Sequence, residues 1–220
     1  MSINPESVRQ SLDSENYGDR IRGINQLRQL DPAIAFEMIV PLVKDDNVRI
    51  RYAAVSQLDT LGKQDLDFTL ELLRDRLYND PEIDVKAAAA DAIGGLKLTV
   101  AYEDLQQSYH QTSEWLLQFS IIAALGELGD LRGFDLLEEA LASNNELLVT
   151  AAISSLGELG DDRAIPLLIP FVANEDWQIR HRLAQALGRF STPEVRATLE
   201  QLAKDSVEVV AKEATNSLGQ

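Results

Sequence analysis

Few side chains in this 220-residue chain are equipped for chemistry. It has no cysteine and two histidines, His110 and His181, which lie far apart in the sequence. Without a thiol there is no disulfide, no thiolate metal ligand and no covalent thiol catalysis. No His/Asp/Glu cluster has metal-ligand spacing, and no nucleophile elbow, P-loop or dinucleotide-binding glycine motif is present. Acids and arginines remain. Asp84 and Asp91 are two turns apart on one helical face, an arrangement in which carboxylates accept N–H donors or exchange a proton. Arg49, Arg182 and Arg189 offer planar forks that pair with carboxylates. His181, alone in its segment, reads as a surface residue rather than a general base.

The elements that position these groups follow from a repeat. Leu27, Leu58, Ile93, Leu125, Leu156, Leu187 and Leu218 fall at intervals of 31, 35, 32, 31, 31 and 31 residues. A second apolar residue follows each of the first six three positions later, from Leu30 to Phe190. The stretches LGELGDLRGFDLL (125–137) and LGELGDDRAIPLL (156–168) match almost residue for residue. Such a period means stacked supersecondary units that share one continuous core.

Within one unit, Ala164, Ile165, Leu167, Leu168, Phe171 and Val172 sit at helical spacing. Pro166 suits a first turn, whereas Pro170 should bend or shorten that helix. Asp176 is placed to cap a second helix, whose buried stripe reads Ile179, Leu183, Ala184, Ala186, Leu187 and Phe190. Small residues recur four before the key apolar position (Ala54, Ala89, Ala152, Ala214) and long apolar ones eight before it, from Ile50 to Val210. The recurring glycines (Gly62, Gly94, Gly126, Gly157, Gly188, Gly219) should let the next helix approach. The predicted fold is therefore all-α: a right-handed α-solenoid of six to seven helix pairs. It forms a single domain over 1–220, with 1–15 as an N-terminal cap or lead-in and repeats over 16–219. The last repeat is expected to act as a cap, with Lys204, Asp205, Glu208, Lys212 and Glu213 on a polar outer side.

The segments NEDWQIRHRLAQALGRF and DDNVRIRYAAVSQLDTLG resemble HEAT repeats of the phycobilin-lyase type, whose second helix runs D-x-x-V-R-x-x-A-A-x-A-L-G. The resemblance covers residues 16–219. It departs from the pattern at Gly23, which takes an alanine place, at Gln118, which takes the basic place, and in the polar stretch AYEDLQQSYHQT. The resemblance implies a protein that binds bilins or phycobiliproteins (phycocyanin, allophycocyanin) and acts in phycobilisome degradation, promoting chromophore detachment. Its alternative is a scaffold that grips a protein in its concave groove without chemistry. No cofactor is implied as a requirement; phycocyanobilin is implied as a ligand.

The 3.6 period puts Arg22, Asn25, Val48, Arg49, Tyr52, Ile83, Asp84, Ala87 and Asp91 on the solvent side of the second helices. Trp115, Leu116, Phe119, Ser120, Leu147, Trp177, His181, Arg182, Gln185 and Arg189 continue that side. Both tryptophans of the chain lie there, and an apolar patch in a groove marks a binding surface. Tyr52, Ile83, Trp115 and Phe119 are expected to form one patch. The family reading gives Arg49 and Arg182 to propionates and Asp84 or Asp91 to pyrrole nitrogens. At ~10 Å per repeat Arg49 and Arg182 are roughly 40 Å apart, so repeats two to four are assigned to pigment and repeat six to a protein partner. Arg51, Lys86 and Arg180 share one repeat position and are expected to pair with acids at neighbouring turns. A net charge of −16 argues against nucleic acid as a partner. The N-terminal segment MSINPESVRQ lacks a signal-peptide pattern and no apolar run is long enough for a membrane span. A cytoplasmic protein associated with phycobilisomes is the expectation.

Overall fold

The computed structural model describes residues 3–219. Among these residues every regular element is helical, and the fourteen α-helices form seven consecutive pairs. The chain divides into two compact units, with the boundary between Ser120 and Ile121. Unit 1 contains α1 (Pro5–Leu12), α2 (Tyr17–Gln26), α3 (Pro32–Ile39), α4 (Val48–Leu61), α5 (Leu66–Asn79), α6 (Ile83–Gly95) and α7 (Tyr102–Gln111), and the first turns of α8 (Trp115–Leu128). Unit 2 contains the rest of α8 with α9 (Phe134–Leu141), α10 (Glu146–Leu159), α11 (Ile165–Leu168), α12 (Trp177–Leu187), α13 (Pro193–Leu202) and α14 (Glu208–Leu218). No described helix is long and apolar enough to cross a membrane.

The helices begin and end where local chemistry directs. Asn47, Asn145 and Asp176 accept backbone N–H groups of the first turns of α4, α10 and α12, which satisfies donors the helix leaves orphaned. Pro170 acts as expected: α11 stops after four residues and the chain tightens into a 3-10 segment over Ile169–Ala173. Pro41 sits in the same way in the 3-10 segment that follows α3. In both places the proline removes the N–H that would continue the ladder.

The apolar stripe is the core. Leu27, Leu58, Ile93, Leu125, Leu156 and Leu187 are completely buried, as are Ala54, Ala89, Ala152 and Ala214. Gly23 stands in the alanine place because α1 packs there: a Cβ at Gly23 would lie 2.9 Å from Leu12 Cδ2 and 3.1 Å from Leu12 N. The lead-in thus carries the helix that closes the first repeat. The polar segment 101–112 also forms a helix, α7, which buries Tyr102, Leu105, Ser108 and Tyr109.

The arginine ladder is present at both ends of the chain. Arg51 donates to Asp80 through Nε at 2.9 Å and Nη2 at 3.1 Å, and to the Asp45 and Asp46 carbonyls. Arg180 repeats the pattern with Asp205 and the Asn174 and Glu175 carbonyls. Arg20 pairs with Asp45 and donates to the Leu12 carbonyl. Lys86 departs from the expectation: its Nζ donates to the Tyr78 carbonyl at 2.9 Å. The residues at the acceptor position explain this. They are Asp45, Asp80 and Asp205 opposite the three arginines, but Thr112, Ser143 and Asn174 in the middle repeats, where the donor place holds Lys86, Gln118 and Val149.

Burial alone would push the Asp45 and Asp80 carboxyls up, but the guanidiniums and turn N–H groups around them hold both below the usual carboxylate range. Asp205 is lowered chiefly by its hydrogen bonds from Arg180.

Candidate functional site

Unit 1 holds a cavity of about 630 Å³ assembled from four helices. Tyr17 and Ile21 come from α2, and Val48, Arg49, Tyr52 and Ala53 from the first turns of α4 behind its Asn47 cap. Glu82, Asp84, Ala87, Ala88 and Asp91 come from α6 and its cap position, and Leu116 and Ser120 from α8. The volume is within the ~300–1,000 Å³ typical of small-molecule sites. On α6 the short side chains of Ala87 and Ala88 border the space. Ala87 and Ser120, expected on the solvent side, are buried instead: at this face the short side chains are covered by their neighbours while still bordering the cavity.

One cation, Arg49, and three acids, Glu82, Asp84 and Asp91, line the space. Asp91 is the perturbed group. It is exposed where it lines the cavity; the helices crowded around it push its pKa up, and the Ser120 hydroxyl hydrogen bond opposes this and lowers it. A carboxylate of raised pKa on a cavity wall is ready to accept an N–H donor or a proton. Tyr52, 47 % exposed, supplies a flat face beside Leu116 and Ile21.

The cavity therefore gathers Arg49, Tyr52, Asp84, Asp91 and Leu116 of the expected site residues. Ile83, Trp115 and Phe119 do not line it, although Trp115 is 47 % exposed. Tyr17, Glu82 and Ser120 join it unforeseen as site residues. Tyr17 carries a signal in the sequence, since it stands ten before Leu27, as the cavity-lining Val48 stands ten before Leu58.

Arg182 belongs to a separate cavity in unit 2, of about 460 Å³, with Gln185, Arg189, Glu158 and Glu213. Leu147 and Trp177 are exposed and His181 is half-buried; none of the three lines that cavity. No described group of His, Asp or Glu residues is arranged to hold a metal ion.

HEAT repeats match residues 5–94, 70–157 and 149–219 of the chain. No curated protein matches it. Among solved structures, the complex of CpcE and CpcF of phycocyanin lyase from Nostoc sp. PCC7120 is similar at a TM-score of 0.64 and 19 % identity, covering 100 % of this chain and 95 % of that one. The YibA protein of Escherichia coli is similar at 0.65 and 14 %, covering 99 % and 93 %. Kap95p, solved bound to RanGDP, is similar at 0.58 and 13 %, covering 99 % of this chain and 35 % of that one. At these identities the likeness is one of fold. With the matched segments running from residue 5 to residue 219 over seven helix pairs, the chain belongs to the HEAT-repeat family.

Proposed function

We propose that this protein binds a linear tetrapyrrole in the unit 1 cavity and acts on phycobiliproteins in phycobilisome degradation, promoting loss of the chromophore. The observation that carries this reading is the presence of Arg49 and Asp91 on the walls of one space of small-molecule size, with the Asp91 pKa raised. A bilin needs both. Its propionates suit the guanidinium of Arg49, its pyrrole N–H groups suit Asp91 or Asp84, and its flat conjugated face suits Tyr52. A phycocyanin lyase of the same fold supports the substrate class.

Detachment is a retro-addition. The C–S bond to the partner's cysteine breaks, the sulfur leaves as thiolate, and the neighbouring carbon loses a proton as the double bond re-forms. Asp91 is the group assigned to take that proton. The reading sets the protein in the cytoplasm beside phycobilisomes, with phycocyanin or allophycocyanin as partner.

The test mixes the full chain with phycocyanobilin, and separately with phycocyanin, and follows visible spectra. Wild type should shift the free pigment's spectrum and bleach phycocyanin. Arg49→Ala should weaken pigment binding by about 1.5–3 kcal/mol, and Asp91→Asn should slow release by roughly 100-fold. Release by Asp91→Asn at the wild-type rate would remove the carboxylate from the mechanism.

A second reading is a non-catalytic scaffold. It is favoured by Trp115, Leu147 and Trp177, exposed outside either cavity, since exposed aromatic residues anchor protein interfaces. Co-elution with phycocyanin without any spectral change selects it.

A further inference from the structure

The first repeat departs from the others where second helices meet. In unit 2 a glycine follows the key apolar residue and faces a small residue of the next second helix. Cβ atoms at Gly126, Gly157 and Gly188 would lie 2.7 Å from atoms of Ser155, Ala186 and Ser217. In the first repeat that glycine place holds Arg28, and the facing place, one before Leu58, holds Gln57. Gln57 makes the bond that Ser217 makes. Its Nε2 donates to the Ile24 carbonyl at 2.9 Å, and Ser217 Oγ donates to the Ala184 carbonyl at 3.0 Å, each 33 residues back. A carbonyl only accepts, so this bond fixes which end of the amide is which. The other end, Oε1, is buried and has no hydrogen-bond partner among the described residues; the residue is 4 % exposed.

A cavity of about 490 Å³ lies at this place, between the turn that follows α2 and the end of α4. Leu27, Leu30, Pro32 and Leu61 give it apolar walls, and Gln57 lines it. Arg28 and Lys63 border it as exposed cations and Asp59 as its one acid. Among the described residues none of these three charges forms an ion pair.

Each feature specifies part of an occupant. A buried carbonyl oxygen without a donor is costly, so an N–H or O–H brought to it is favoured. Apolar walls take an apolar body, and the few polar groups orient it. Two cations against one acid leave a single positive charge in excess, which one carboxylate neutralises, with the guanidinium as its best-shaped partner. A flat, rigid body holds donor and carboxylate apart at the least entropic cost.

We infer that this cavity binds a small monocarboxylate with a flat apolar body, its carboxylate at Arg28 and Lys63 and an N–H or O–H donor of its far end at Gln57 Oε1. Neither Arg49 nor Asp91 takes part, so the inference stands or falls separately from pigment binding.

The test titrates the full chain by calorimetry with three probes: indoleacetate, its ring N-methyl derivative, which lacks the donor, and indoleacetamide, which lacks the charge. Indoleacetate should bind at least about tenfold tighter than either of the others. Arg28→Ala/Lys63→Ala, altered at two exposed positions, should bind indoleacetate no better than the amide. Arg28→Gly/Gln57→Ser restores the pair found at Gly188 and Ser217; it should bind none of the probes and still melt cooperatively. Wild type that binds no indoleacetate, or binds it and the N-methyl derivative equally, would overturn the inference. So would an Ala/Ala or a Gly/Ser variant that binds indoleacetate as tightly as wild type.

Discussion

Among the described residues Asp80 is the only buried acid. Its carboxylate accepts from Arg51 twice, from Arg76 Nη1 at 2.9 Å and from the Glu82 N–H at 3.0 Å, and its side chain is 0 % exposed. Removing one member of such a buried set strands the guanidiniums that faced it. Asp80→Ala is expected to cost about 3–5 kcal/mol in urea unfolding. Glu200→Ala, which breaks only the exposed pair with Arg196, should cost no more than ~0.5 kcal/mol. Because Asp45, Asp80 and Asp205 are held below the ordinary carboxylate range, their contribution is complete above pH ~4. It is lost as the pH falls through their folded values. Urea midpoints taken from pH 7 down to pH 3 should therefore drop more steeply for wild type than for Asp80→Ala. Asp91 has the opposite sign. Its pKa is raised rather than lowered, but the residue is exposed, so solvent screening leaves it little weight in the pH dependence of stability.

At the scale of elements, the second helices are set close by glycine. A Cβ at Gly157 would lie 2.7 Å from Ala186 Cα on the next second helix, and one at Gly126 would lie 2.7 Å from Ser155 Cα. Backbone stands in the way at both positions, so neither can be relieved by a rotamer change. Gly157→Ala is expected to lower stability by about 1–3 kcal/mol through overpacking. Gly160 offers a control. It ends α10 with φ 68° and nothing near its absent Cβ, so alanine there meets only the left-handed backbone penalty, about 1–2 kcal/mol. Thermal unfolding of the two variants separates packing from backbone strain. Equal and negligible shifts would show that α10 and α12 can move apart freely.

At the largest scale, stability within unit 2 comes from each pair covering the last. α14 covers α12: Ser217 Oγ donates to the Ala184 carbonyl at 3.0 Å, and Asp205, just before α14, holds Arg180. Neither helix can bury its apolar face alone. Deleting residues 205–220 should expose the Leu187 layer and lower the melting temperature by at least ~5 °C, with aggregation on heating. A truncated chain with unchanged melting would mean that the α12 face does not need α14.

The sequence by itself determined the helix pairs, their buried stripe, the Pro170 break, the Asp176 cap and the Arg51 and Arg180 rungs. All of these depend on the 3.6-residue period or on positions that recur every 31 residues, and both can be read along one chain. Only the tertiary structure decided the cavity. Whether Tyr17, Glu82 and Ser120 meet Arg49 and Asp91, while Ile83, Trp115 and Phe119 turn elsewhere, depends on how four helices stack. Periodicity says that a side chain leaves the core side of its own helix, but not which neighbouring helix it then faces. Lys86 shows the same limit, since its partner became a backbone carbonyl once the turn opposite it offered no acid.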